Sequence, residues 1–164
     1  MVNFNDGLKV GTLEIELRPS QYYDIGFVYE LMHHHFRDLF DRFLPERWSR
    51  EKFKQGFNPD RITIVENLGM PIGFFDLELK GEEAYGRNLH ISDDYEGRHI
   101  GIALVSYIER KCLDLGAKSI KGKVFSENKT SLRVLVDRRG WEVIQNIPEE
   151  HSFLLTKNLR GEND

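Results

Sequence analysis

The stretch Ile91-Ser92-Asp93-Asp94-Tyr95-Glu96-Gly97-Arg98-His99-Ile100-Gly101-Ile102-Ala103-Leu104 leads from strand-type residues through a glycine-containing turn into a helical pattern. Such a junction can hold an anion. The first N–H groups of a helix lack intrahelical partners and sit at the positive end of its dipole, so backbone donors can grip a phosphate or pyrophosphate. Gly97 and Gly101 would let the backbone approach such a group closely. The same pattern also serves where a glycine turn merely starts a helix. Its spacing is neither GxGxxG nor GxxxxGK[ST], which argues against a nucleoside triphosphate.

Other residues able to do chemistry are scattered. Asp76 and Glu78 alternate with Phe75, Leu77 and Leu79, which reads first as a solvated edge face. Tyr85 and His90 fall on opposite faces of the next strand by parity, and His90 reads as a core histidine. Glu149, Glu150 and His151 read as loop surface. His33, His34 and His35 diverge by about 100° each on a helix, cannot converge on one ion, and are expected at the surface. No metal is expected. Cys112 falls on an apolar stripe, where a thiol packs as a small hydrophobe.

The elements that must position these residues follow from periodicity. Leu13–Arg18 alternates as a half-buried strand that Pro19 ends. From Gln21, Ile25, Val28, Tyr29, Met32, Phe36, Leu39, Phe40 and Phe43 form one helical stripe, with Pro45 as its stop. Ser49 can cap a shorter helix that buries Phe53 and Phe57. Arg61–Glu66 and Pro71–Leu79 are strand-like runs joined by a hairpin through Asn67-Leu68-Gly69-Met70, and Ala84–Ile91 is a third. Ile100, Leu104, Tyr107, Ile108, Cys112 and Leu115 mark a helix closed by Gly116. A strand over Lys118–Phe125, a helix from Asn128 to Arg139 ending at Gly140, and two more strands complete the order βααβββαβαββ.

The chain has 164 residues, 40% hydrophobic and 30% charged, the range of one globular domain. A single domain over 1–164 is expected, with a core of about 13–159. One cysteine cannot form an internal bridge and suggests a reducing compartment. No apolar run approaches the ~20 residues of a membrane span, and the start lacks a basic-then-apolar leader pattern. A cytoplasmic protein without membrane contact is expected. With 23 basic against 27 acidic residues, a net of −4, no nucleic-acid partner is expected.

The glycine turn and its helix resemble the acetyl-CoA loop of the GCN5-related N-acetyltransferase (GNAT) family, Gln/Arg-x-x-Gly-x-Gly/Ala. Aligned by the helix end at Leu115-Gly116, the motif falls on Glu96-Gly97-Arg98-His99-Ile100-Gly101; the second glycine is kept, while Glu96 and His99 depart. A register two residues later, Arg98 to Ala103, fits letter by letter, but the first keeps the family's helix length. Asn128-Lys-Thr-Ser131-Leu-Arg-Val-Leu135-Val-Asp-Arg-Arg-Gly140-Trp141 is similar to a second family segment, with Gly140 one residue late and Leu135 where many members carry a tyrosine. The resemblance spans Leu13 to Leu159.

The resemblance implies an α/β fold of GNAT type: a mixed, mostly antiparallel twisted sheet of about seven strands flanked by about four helices. It implies an acetyl-CoA-dependent N-acetyltransferase in which a primary amine of a small molecule or peptide attacks the thioester directly. The expected cofactor-binding residues are Leu89, His90, Ile91, Glu96, Gly97, Arg98, His99, Ile100, Gly101, Ile102, Asn128, Ser131 and Leu135. The pantetheine arm would pair with main-chain groups near Leu89 and Ile91, where a backbone N–H serving the thioester oxygen contributes about 3 kcal/mol. Glu78, Tyr85 and His90 are the candidate bases, with no evident general acid because Leu135 replaces the tyrosine. His33, His34, His35 or Tyr29 could border the acceptor. Alternatives are a non-catalytic acyl-CoA-binding module and a transferase of longer acyl groups. Homodimers are frequent among such relatives.

Overall fold

A computed structural model describes residues 4–43 and 49–160. Pro45, the expected helix stop, lies outside the described residues. In chain order the elements are β1 (Asp6–Val10), β2 (Leu13–Pro19), α1 (Ile25–Phe43), α2 (Arg50–Gly56), β3 (Ile62–Asn67), β4 (Met70–Lys80), β5 (Glu83–Ile91), α3 (Ile100–Asp114), β6 (Ser119–Phe125), α4 (Lys129–Leu132), β7 (Glu142–Ile147) and β8 (Ser152–Asn158). The strands form one sheet in the order β1-β2-β3-β4-β5-β6-β8-β7. The described pairings are antiparallel except β5 with β6. The mixed, mostly antiparallel α/β architecture matches the sequence expectation, with one strand more. That strand, β1, pairs along its whole length with β2 through a turn at Gly11, whose φ is 61°. Only Leu8 and Val10 carry its apolar face, too short a pattern to stand out in sequence. No described helix is long and apolar enough to cross a membrane.

The chain divides into two compact units, one running to Asp76 and including Asn88–Arg98, the other comprising Leu77–Arg87 and the chain from His99. In the first, α1 lays Val28 and Leu31 against Ile62 and Ile64 of β3, Phe74 of β4 and Phe57, with Phe53 of α2 at the margin. Burying such side chains contributes roughly 1.5–3 kcal/mol each. The start of α1 is anchored by Asp24, which accepts from the two terminal guanidinium nitrogens of Arg18 at 2.8 Å and from the Gln21 amide at 2.8 Å. That hydrogen-bonded carboxylate raises the Arg18 pKa. Ser49 caps α2 by accepting from the Lys52 amide.

The expected solvated face of β4 is not observed. Ile72 through Leu77 are all buried, because β4 lies inside the sheet rather than at an edge. Phe74 faces the α1 cluster, and Phe75 meets Phe4 with ring centroids 5.9 Å apart. Asp76 is buried and paired with Arg61 Nε at 3.2 Å. Gly73 is the tightest point of this unit: a Cβ there would overlap the carbonyl oxygen of His90 and the side chain of Ile91.

In the second unit, Ile100, Leu104, Ile108 and Cys112 of α3 are buried, as are Ile120 of β6 and Leu155 of β8. Burial and the neighbouring Glu109 push the Cys112 thiol up to about 12, which leaves it inert as a nucleophile. Glu109 takes Arg139 at 2.7 Å and Lys157 at 2.5 Å, tying α3 to β8 and to the segment before Gly140. That segment differs from a simple helix. After α4 the backbone widens into a π-turn over Arg133–Arg138, with the Arg139 amide bonded to the Val134 carbonyl. A π-turn absorbs one extra residue, which accounts for Gly140 lying one residue later than in the family pattern.

Replacing Gly73 with Ala should lower the unfolding free energy by about 1–3 kcal/mol, the range for overpacking. Urea denaturation of the variant against the parent checks it; an unchanged midpoint would mean that the two strands part easily.

Candidate functional site

The loop between β5 and α3 is held at several points within the first unit. The Ser92 amide donates to the Ile72 carbonyl at 2.7 Å, and the Tyr95 hydroxyl donates to Asn67 Oδ1 at 3.2 Å. The Arg98 guanidinium stacks over the Tyr95 ring at 5.2 Å. Glu96, Gly97, Arg98 and His99 are exposed, so the Glu96 carboxylate stands in solvent. The chain enters α3 through two left-handed residues, Gly97 with φ 76° and His99 with φ 62°.

His99 is the N-cap of α3, yet its side chain caps nothing, and the first turn contains no acidic residue. The contrast with α2 and α4 is informative, since Ser49 and Asn128 satisfy amides at those helix starts. An uncapped helix start free of carboxylates leaves its donors to solvent or to an anion. A Cβ on Gly101 would meet nothing within 4 Å, so the space beside the first turn is open.

The histidine triplet does not simply face solvent. His34 Nε2 lies 2.5 Å from Asp93 Oδ2, and His35 Nε2 lies 3.1 Å from Asp93 Oδ1. Consecutive helical residues meet here because their common partner comes from outside the helix. His35 Nδ1 reaches His90 Nδ1 at 2.8 Å, and His90 Nε2 lies 3.3 Å from Asn88 Oδ1. His33 instead stacks on Tyr29. His90 is 5% exposed and enclosed by the Phe36 and Phe74 rings. Burial, reinforced by the charge of His35, pushes its pKa down to about 3. The hydrogen bond from His34 holds Asp93 below the usual carboxylate value, against a small desolvation effect. Among the described residues no group of three or more His, Cys, Asp or Glu side chains is arranged to hold a metal ion.

Glu78 and Tyr85 come together in the second unit, lining a shallow polar depression with Lys80, Glu83 and Arg87. Glu78 is bridged by Arg87 at 2.5 Å and Lys80 at 3.2 Å, and the Arg87 hydrogen bond leads in lowering its pKa. The Arg87 guanidinium also stacks on Tyr85 at 4.9 Å. A carboxylate so engaged is a weak base. His90 belongs to the other unit.

The parallel register of β5 and β6 runs from Glu83↔Ser119 to Gly86↔Gly122. A Cβ on Gly122 would lie 2.9 Å from the Gly86 carbonyl oxygen, so the two strands touch closely at that pair. Beyond it β6 continues to Phe125, paired with β8 on its other side. Asn128 Oδ1 accepts from the Ser131 amide at 3.2 Å, and Leu135 is half-buried in the π-turn.

The model of the acetyltransferase (GNAT) family matches residues 28–141, more than two thirds of the chain. The chain belongs to the GNAT acetyltransferase family. Acyl transfer from an acyl-CoA is the chemistry that membership brings. Among solved structures, an acetyltransferase of the GNAT family from Listeria monocytogenes superposes with TM-score 0.72 at 15% identity, covering 94% of this chain and 100% of that one. The PaiA N-acetyltransferase of Thermoplasma acidophilum, solved in complex with coenzyme A, has TM-score 0.69 at 17% identity, covering 88% and 98%. The ribosomal-protein-S18-alanine N-acetyltransferase of Escherichia coli has TM-score 0.66 at 15% identity, covering 91% and 97%. At such identities the likeness shows the fold. No curated protein matches the sequence.

His90 gives this GNAT domain a testable acid sensitivity. Its folded pKa of about 3 lies below the ordinary 6.5, so the unfolded chain binds more protons as pH falls through that window. Stability is unaffected by this group above 6.5. From there down to about 3 it should fall by up to about 1.4 kcal/mol per pH unit. Asp93 adds its own loss only below about 4. Urea titrations across pH should show the His90 slope in the parent and a flatter one in His90→Gln; equal slopes would contradict a neutral, buried imidazole.

Proposed function

We propose that the protein is an N-acetyltransferase moving the acetyl group of acetyl-CoA to a primary amine of a small molecule or peptide. The observation that carries this reading is the start of α3: uncapped, free of acidic residues, and entered through left-handed Gly97 and His99. Its main-chain N–H groups from Gly97 to Ile102 would hold the pyrophosphate. Arg98, oriented by Tyr95, would offset the carboxylate of Glu96. Asn128 Oδ1 accepts from the Ser131 amide, which orients the side chain so that its NH2 group could donate to a ligand. Leu89 and Ile91 would offer main-chain groups to the pantetheine arm, as the family resemblance suggests.

In the reaction the neutral amine attacks the thioester carbonyl carbon, forming the C–N bond, and the tetrahedral intermediate collapses by breaking the C–S bond. The amine's second proton passes to solvent. Leu135 supplies no O–H, so the departing thiolate takes its proton from water. Positioning the amine against the carbonyl supplies most of the acceleration.

Calorimetry with acetyl-CoA, free CoA and ATP tests the first step. Micromolar binding of acetyl-CoA but not ATP is expected, and Gly101→Glu should abolish it by placing bulk and negative charge at the pyrophosphate. Amine-dependent release of CoA then tests transfer; acetyl-CoA binding without such release would leave a binding module instead. Leu135→Tyr should raise turnover only if departure of the thiolate limits the rate.

A further inference from the structure

Asp93, His35, His90 and Asn88 form a hydrogen-bonded string whose two ends are oxygens. His35 Nε2 lies 3.1 Å from Asp93 Oδ1, His35 Nδ1 lies 2.8 Å from His90 Nδ1, and His90 Nε2 lies 3.3 Å from Asn88 Oδ1. An amide or carboxylate oxygen accepts, so each end of the string needs a proton from the imidazole that faces it. His90 therefore carries a proton on Nε2. It is buried between the Phe36 and Phe74 rings, and burial pushes its pKa down to about 3, so at neutral pH that proton is its only one. His90 Nδ1 is then a lone pair, and the proton of the middle contact must come from His35 Nδ1. Asp93 requires a second on His35 Nε2. Were either nitrogen of His35 bare, two lone pairs would face each other across 2.8 Å or 3.1 Å. Among the described residues, the charged and titratable groups facing His35 are His34 of α1, His90 of β5 and Asp93 of the loop.

We propose that His35 is an imidazolium cation and that its charge latches the turn Asp93–Tyr95, where the loop toward α3 begins, onto α1. The effect on acyl-CoA binding rests on the cofactor reading above. Asp93 opens that turn, and its carbonyl accepts from the Glu96 amide at 3.0 Å. Tyr95, which closes the turn, carries the Arg98 guanidinium over its ring. Holding the Asp93 carboxylate therefore holds the residues that lead directly to Gly97. Both of its oxygens are taken from α1, Oδ2 by His34 and Oδ1 by His35. All of these residues belong to the first unit. Hydrogen bonds between ionised groups are roughly twice as strong as neutral ones. When His35 gives up a proton, one of its two bonds fails and the other loses the charge on its donor. Ordering the loop then falls to the ligand, and acyl-CoA binds more weakly. His35, His34 and Asp93 act as positioning residues.

Nitrogen-15 spectra of the histidine rings in the full chain test the charge. At pH 7.5, where a free imidazole with a pKa of about 6.5 is mostly neutral, both nitrogens of His35 should carry protons and His90 should carry its own on Nε2. A His35 with a single proton, or a His90 protonated on Nδ1, overturns the assignment. Calorimetry with acetyl-CoA from pH 7.5 to 10 tests the latch, in a range above the second pKa of a phosphate monoester, about 6. Affinity should fall about tenfold, the difference one charge-assisted bond makes, over the pH step at which the His35 resonances show loss of a proton. At pH 7.5, His35→Gln and Asp93→Asn should each bind acetyl-CoA about tenfold more weakly than the parent and show no such step. Asp93→Asn, at a half-exposed position, carries the test if His35→Gln does not fold. Variants that bind as the parent does, or a parent affinity that ignores the His35 step, overturn the latch. A parent that binds no acetyl-CoA at any pH overturns the cofactor reading instead, and the spectra still decide the charge on His35.

Discussion

Two parallel neighbouring strands cannot be joined by a tight turn; the chain must travel back along the sheet between them. Here β5 and β6 are the parallel neighbours, and the return is made by the loop Ser92–His99 and α3. The start of α3 therefore comes after the loop that leaves the carboxyl end of β5, and its first N–H groups lie at the positive end of the helix dipole. Close contacts and ion pairs hold the elements on either side. The glycine pair Gly86 and Gly122 lets the parallel strands touch, Gly73 lets β4 lie against His90 and Ile91, and the buried carboxylate of Glu109 fastens α3 to β8 and to the segment before Gly140.

Polar groups in this fold fall into two kinds. Asp24, Asp76 and Glu109 are buried carboxylates, each met by arginine and, for Glu109, a lysine as well. Such pairs are retained because an unpartnered buried charge is costly. The string from Asp93 to His90 differs, for it runs from a half-exposed carboxylate to an imidazole that burial keeps neutral. The first kind pairs full charges; the second joins α1 to β5 and to the loop after it through imidazoles.

Local pattern made most of the architecture legible. The stripe of α1, the cap at Ser49, the hairpin at Leu68-Gly69 and the glycine that closes α3 all announce themselves within a few residues, because each depends on neighbouring side chains or on one backbone angle. What escaped depends on partners distant in sequence. Alternation along β4 suggested a wet face, but burial of Asp76 depends on which strands flank it and on Arg61. His34 and His35 meet a carboxylate 58 or more residues away, and nothing near Asp93 advertises it. The π-turn left a trace in the late Gly140, although the extra residue could equally have been a loop insertion.

The bare start of α3 has a thermodynamic consequence. A capping side chain there would contribute about 1 kcal/mol to the folded chain whatever else is in solution. Without one, the free N–H groups are left to solvent, and an anion that bound at the helix start would add a stabilisation that grows with its concentration. Under the acyl-CoA reading proposed above, the fold's resistance to unfolding would then be a readout of how much ligand surrounds it, and a cell rich in that ligand would hold a sturdier population of this protein than one depleted of it.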